Sequence, residues 1–370
     1  MYAMPTLIKP TRTFTDKLLD HYRQQGDPPA DAVITAVAEQ TGREGVGALM
    51  RWLGDTGNFS TDEQPEPIQR FFIEHAHLPE WADQTRMQRG MAFFQKHTAL
   101  IGLTLGTYSL PYTYLGANGV RLLWLTERIK NDTARRLQET GEWVFAVNNP
   151  KNFPLAPPSP PTPLPKRERG AMLPDGSPLS RFGRGAGGEG DGIERTLKIR
   201  LIHAASRWFG LQSGRWNMAW GMPVNQEDMA GTNLAFSYIV LKGLRKMGVT
   251  TSEQNEEDYL HHINVVGSLN GLAEELMPHN LREAYHLDRQ IARRQFRASE
   301  AGTGLTRSLL NAIADVAGKQ TGQPETTRNL AAAQMRFFLG DDHANALGIP
   351  AVPVEKRLAG VVSRLPIFPK

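Results

Sequence analysis

The sequence predicts an all-α protein, a single multi-helix domain interrupted by one low-complexity segment. Three observations support this. Apolar residues recur at three- and four-residue spacing through most of the chain, no stretch competes with the two-residue alternation of a half-buried strand, and glycine or proline separates several of the periodic segments.

Taken in order, helical apolar spacing covers 31–53 and then 88–108. The second segment runs into an uncharged stretch, 98–120 (TALIGLTLGTYSLPYTYLGANGV), long enough to raise the question of a bilayer span. Its glycines, threonines and Pro111 oppose a continuous lipid-facing helix, so the expectation is a buried helix ending near Ser109, a turn at Pro111 and no membrane span. Residues 118–147 resume the pattern, followed by 194–210, 226–247, 256–275, 281–298, 303–317 and 325–346. Of these, 226–247 is the best punctuated. Asn225 can cap it with Asp228 three positions on, Lys242, Arg245 and Lys246 suit its negative end, and Gly248 can stop it. Capping alone accounts for the charged tetrapeptide NQED without catalysis. The helical domain is expected over 1–350, with 351–370 as a C-terminal tail.

Between 154 and 192 the composition collapses into Pro, Gly, Ser and Arg, which cannot build a core, and a disordered insertion is expected there. Its halves are related through DNA rather than protein. PSPPTPLPKRERG (158–170) can be encoded by codons whose opposite strand translates as PLSRFGRGVGGEG, which is residues 178–190 except that Ala186 stands in place of valine. An inverted-repeat element that entered the gene in frame explains both halves, and a surviving frame implies an exposed loop at the entry point. Residues 158–190 hold five basic and three acidic residues, so without them the formal charge falls from +4 to +2. Neither nucleic acid nor an anionic membrane surface is indicated as a partner.

The remaining 330 or so residues suffice for a substantial core. With no cysteine, disulfides, thiolate metal sites and cysteine-held iron–sulfur clusters are excluded. Histidine and carboxylates remain as possible ligands. The N-terminus lacks a continuous apolar stretch after a basic one, so a cytoplasmic location is expected. P-loop, dinucleotide and catalytic-triad fingerprints are absent.

The helix IRLIHAASRWFG (199–210) carries the question of function. Arg200, His203 and Arg207 share one stripe of it. Two cations beside an imidazole keep it neutral, which leaves a lone pair for iron or zinc, while the guanidiniums could hold carboxylates of a cofactor and Ala204 and Ala205 leave room for a flat one. The structural alternative is a core histidine bonded to a backbone carbonyl. Elsewhere, Glu74, His75 and His77 lie close in sequence without a third ligand at a defined spacing, His261 and His262 face different ways on their helix, and nothing fixes His97 near a cofactor.

RTLKIRLIHAASRWF, WGMPVNQEDMAGTNLAFSYIVLKGLRKMGV and YLHHINVVGSLNGLAEELMP together resemble the rubber oxygenase and MpaB-type oxygenase family, over about 78–347 apart from the insertion. The resemblance implies a helical domain enclosing a haem pocket, with haem b as cofactor, His203 as ligand of its iron, and Arg200 and Arg207 as the flanking cofactor-binding arginines. It further implies attack of O2 on a carbon–carbon double bond of a small apolar substrate. RLQET matches the family's Arg-x-x-Lys-Thr group at Arg136 and Thr140, the candidates for orienting oxygen; an ordinary interhelical hydrogen bond is the alternative for that pair. Two departures stand out: Glu139 replaces the lysine, and the family's acidic base has no identifiable counterpart, which disfavours rubber as substrate. A haem protein without oxygenase activity, and a metal-free protein inactivated by the insertion, remain open.

Overall fold

The computed structural model describes residues 12–125, 133–153 and 191–352, and these are helical throughout apart from turns and one isolated bridge between Gly116 and Phe296. The predicted insertion and tail lie outside them, save for 191–192 and 351–352. Helices run in the order α1 (Asp16–Arg23), α2 (Pro28–Leu53), α3 (Glu66–His75), α4 (Gln84–Thr104), α5 (Leu110–Tyr114), α6 (Val120–Leu125), α7 (Thr133–Val147), α8 (Asp191–Gln212), α9 (Gln226–Phe236), α10 (Tyr238–Lys246), α11 (Glu253–Leu269), α12 (Leu281–Gln295), α13 (Glu300–Thr321), α14 (Pro324–Leu339) and α15 (Asp341–Ala346). Among the described residues no helix is long and apolar enough to cross a membrane.

The uncharged stretch does not turn at Pro111. A π-helical segment, Leu105–Ser109, links α4 to α5, and this wider turn accommodates a proline whose missing N–H would break a regular α-turn. The helix expected over 226–247 is two. Ser237 leaves helical geometry (φ −114°, ψ −85°) and its hydroxyl donates to the Asn233 carbonyl at 2.8 Å, a back-bond that bends the chain. Asn225 caps α9 as expected, its side-chain oxygen accepting from the Asp228 N–H at 2.9 Å. Helix α14 stops at Gly340 (φ 80°) and α15 is separate from it. The short helices α1 and α3 were not anticipated.

NQED does more than cap. Gln226 donates to the carbonyls of Gly26 and Gly271 and accepts from the Ala273 N–H. Glu227, fully buried, takes Arg23 (3.0 Å), Arg294 (2.7 Å) and Gln295 (3.1 Å), tying α1 and α12 to α9.

The apolar interior forms contiguous clusters. One joins α1, α5, α9 and α12 to α14, and another packs α8 against α2, α3, the start of α4 and the end of α11. At the α4–α11 crossing a Cβ on Gly90 would come within 2.7 Å of the Asp258 carbonyl and 2.8 Å of the His262 Cβ, so only glycine permits the approach. His262 is buried there, with Nε2 3.0 Å from the Val147 carbonyl and its pKa pushed down to about 3 by burial.

The two ends of the segment between α7 and α8 meet. A Cβ on Gly192 would lie 2.9 Å from the Phe153 ring and 3.2 Å from the Asn152 carbonyl. Joining Phe153 to Asp191 through a short flexible linker is therefore expected to change unfolding free energy by about 1 kcal/mol or less. Loss of a cooperative melt in that deletion variant would contradict this. His262 yields a second expectation. Its folded pKa is depressed, so the unfolded chain takes up the proton first and stability falls as pH drops from about 6.5 toward 3. At pH 5 this amounts to roughly 2 kcal/mol. Urea midpoints at pH 7 and pH 5 should differ less in His262→Gln than in the wild type, and equal pH dependence in both would refute the assignment.

Candidate active site on helix α8

Helix α8 crosses the interior with Leu197, Leu201, Ala204 and Ala205 sealed in the apolar cluster. The two alanines pack into this cluster, while His203 beside them is half-buried. Helix α7 lies alongside, fixed where Trp143 Nε1 donates to Thr196 Oγ1 at 3.1 Å. Seven residues from that bond, two turns along each helix, stand Arg136 on α7 and His203 on α8. Because i and i+7 share a face, antiparallel neighbours put the two at the same level. Electrostatics agree, since the Arg136 charge is felt at both His203 and the buried Tyr114 on α5. Thr140, half-buried, lies one turn from Arg136 toward Trp143.

His203 has its pKa lowered to about 4, first by burial, then by the Arg207 charge; Asp27 opposes and Arg136 adds to the lowering. It is neutral at physiological pH. Nδ1 is sealed off with no hydrogen-bond partner, yet the residue as a whole is only half-buried, so its accessible surface lies elsewhere. His262 shares the unpartnered Nδ1 but differs at Nε2, which meets the Val147 carbonyl at 3.0 Å, as a structural histidine should.

The flanking arginines are already engaged. Arg200 donates twice to Asp27, Nε to Oδ2 at 2.6 Å and Nη2 to Oδ1 at 2.9 Å. Arg207 is 2% exposed; its Nε donates to Asp31 Oδ1 at 2.6 Å and its Nη1 to the Val224 carbonyl at 2.8 Å. Val224 holds φ at +48°, a strained value for a β-branched residue. Arg207 Nη2 is buried without a partner. Of the two guanidiniums expected to face cofactor carboxylates, then, Arg207 keeps a donor to offer and Arg200 is bidentate to a protein acid.

Among the described residues no cluster of three or more His, Asp or Glu could hold a metal ion. The groups left unpartnered around His203 are its own Nδ1 and Arg207 Nη2. The other sequence candidates are occupied elsewhere. His75 Nδ1 lies 3.0 Å from the Phe71 carbonyl and its ring stacks on Phe71; His97 packs on Phe93 at a kink in α4; His261 Nε2 accepts from the Asp83 N–H. Glu139 accepts from the exposed Arg135 at 2.8 Å. Asp27 and Asp31 went unnoticed in the sequence. The DPPAD run signals a helix start with an acidic first turn, but nothing local names partners some 170 residues away.

Comparison with known proteins gives these features a family. Rubber oxygenase of Streptomyces sp. (strain K30) is 24% identical over 336 residues, which cover 90% of this chain and 72% of that protein. The structure of latex clearing protein LCP in the closed state matches with a TM-score of 0.69 at 21% identity, covering 92% of this chain and 82% of that one. The profile described as ER-bound oxygenase mpaB/B'/Rubber oxygenase, catalytic domain, matches residues 115–365, more than half of the chain, and the protein accordingly belongs to this family of oxygenases.

Proposed function

We propose that the chain is a haem b-dependent oxygenase, with His203 as the protein ligand of the iron and an unsaturated apolar compound of isoprenoid or lipid type as substrate. The observation that carries this is His203 itself, a neutral imidazole whose Nδ1 no protein group uses, placed between two arginines and level with a third. Bound haem would supply an iron that activates O2 for attack on a carbon–carbon double bond. His203 stays unprotonated over the physiological range, so its lone pair is available for coordination. The spare Nη2–H of Arg207 is the donor for a carboxylate of the cofactor.

Arg136 and Thr140 contribute a positive charge and a hydroxyl from α7, suited to orienting oxygen and stabilising negative charge as it develops. Tyr114, whose pKa is pushed up to about 12 chiefly by burial, remains a protonated phenol within reach of the Arg136 charge. The Streptomyces relative is named for rubber. A different unsaturated substrate is proposed here because Glu139 stands where the resemblance places a lysine.

The test is an absorption spectrum of purified protein beside His203→Ala. A Soret band in the wild type that is lost or shifted in the variant is the expected result; none in the wild type even after haem reconstitution would return His203 to the core and take the oxygenase reading with it. In loaded protein, Thr140→Val and Arg136→Gln should retain the Soret band and slow O2 uptake with unsaturated lipids by roughly tenfold to a hundredfold. Unchanged uptake in both would leave that pair an interhelical contact.

A further inference from the structure

The α1–α2 junction is built around charge. Asp27, 2% exposed, gives both carboxylate oxygens to Arg200, and its own N–H donates to Asp31 Oδ2 at 2.9 Å. Asp31 uses its other oxygen for Arg207. Two acids one turn apart, Asp27 just before α2 and Asp31 in its first turn, thus hold two arginines that bracket His203 on α8. The surroundings leave no slack. A Cβ on Gly271 (φ 84°) would fall 2.1 Å from Asp27 Oδ2 and 2.6 Å from Arg200 Nε, and one on Gly26 would fall 2.4 Å from Asp31 Oδ2 and 3.0 Å from Arg207 Cδ.

Packing does not require these charges. A buried ion pair is often no more stabilising than an apolar pair of the same volume. What it fixes is the potential at its location. Unopposed, two guanidiniums beside a metal-binding imidazole would work against any cation bound there.

We propose that Asp27 and Asp31 are positioning residues that set the charge of the His203 site, holding Arg200 and Arg207 in place while cancelling their effect on the iron. This rests on the haem reading above. Asp27→Asn keeps the shape and an acceptor for Arg200 but removes one negative charge.

The experiment is spectroelectrochemical titration of haem-loaded wild type, Asp27→Asn and Asp27→Asn/Arg200→Gln, with thermal melts of the same samples. The single variant should move the midpoint to more positive potential, raising the ferrous-to-ferric ratio at the wild-type midpoint roughly threefold or more. The double variant, which removes the cation as well, should return toward the wild type even if its melting temperature stays low. Should Asp27→Asn fail to fold, Asp31→Asn, whose side chain is 34% exposed, should show a smaller shift of the same sign. Folded, loaded variants with the wild-type potential, or a lowered melt as the sole change, would overturn the proposal and leave the haem reading standing. A wild type that takes up no haem overturns both.

Discussion

The joining of α2 to α8 through Asp27–Arg200 and Asp31–Arg207 is the interaction on which the rest of the site depends. Asp27 and Arg200 both give up hydration to enter the interior, and removing one alone would leave an uncompensated buried charge, a loss of about 3–5 kcal/mol. The pairs therefore stand or fall together. Because the arginines flank His203 on its own helix, the same contacts fix the rotation of α8 and the electrostatic setting of the imidazole.

The constraint extends outward through residues 23–31. Arg23 is held by Glu227 and Asp228 and donates to the Trp220 carbonyl; Gly26 is held by Gln226; Asp27 and Asp31 are held by α8. The loop that ends in Asn225 meets the same junction from the other side. Its Met222 N–H donates to the Arg23 carbonyl, and strained Val224 presents its carbonyl to Arg207. A stretch of nine residues near the N-terminus is thus fastened to α8 and α9 at once and, through Glu227, to α12. Strain at Val224 persists because so many neighbouring contacts determine its position.

How much of this could be read from the sequence follows from the range of the interactions. Periodicity is local, so the all-α class and the long helices were legible, as were the Asn225 cap and the His203 stripe. Breaks that depend on one side chain, such as the Ser237 back-bond, or on a change of helix type, as before Pro111, were not. NQED reads as a cap, yet Gln226 and Glu227 are buried hubs whose partners come from the N-terminus and from α12, beyond the reach of any local pattern. Arg200 and Arg207 were recognised as a pair, but the acids that answer them sit too far away along the chain to be paired with them on sequence grounds.

The position of the interrupted connection explains how the site could tolerate it. Helices α7 and α8 are locked by Trp143 and Thr196, and α7 is closed off by Asn148 Nδ2 donating to the Val144 carbonyl and Asn152 Nδ2 to the Ala146 carbonyl. Phe153 then touches Gly192 at the first turn of α8. All of these contacts lie between the connection and the level of Arg136 and His203, so the register of the two helices is decided close to the connection itself. Extra residues there add loop entropy, which grows only slowly with length, and leave the α7–α8 geometry untouched. An insertion of similar length between Asp27 and Asp31 would have no such shelter, since it would separate the two acids that hold Arg200 and Arg207.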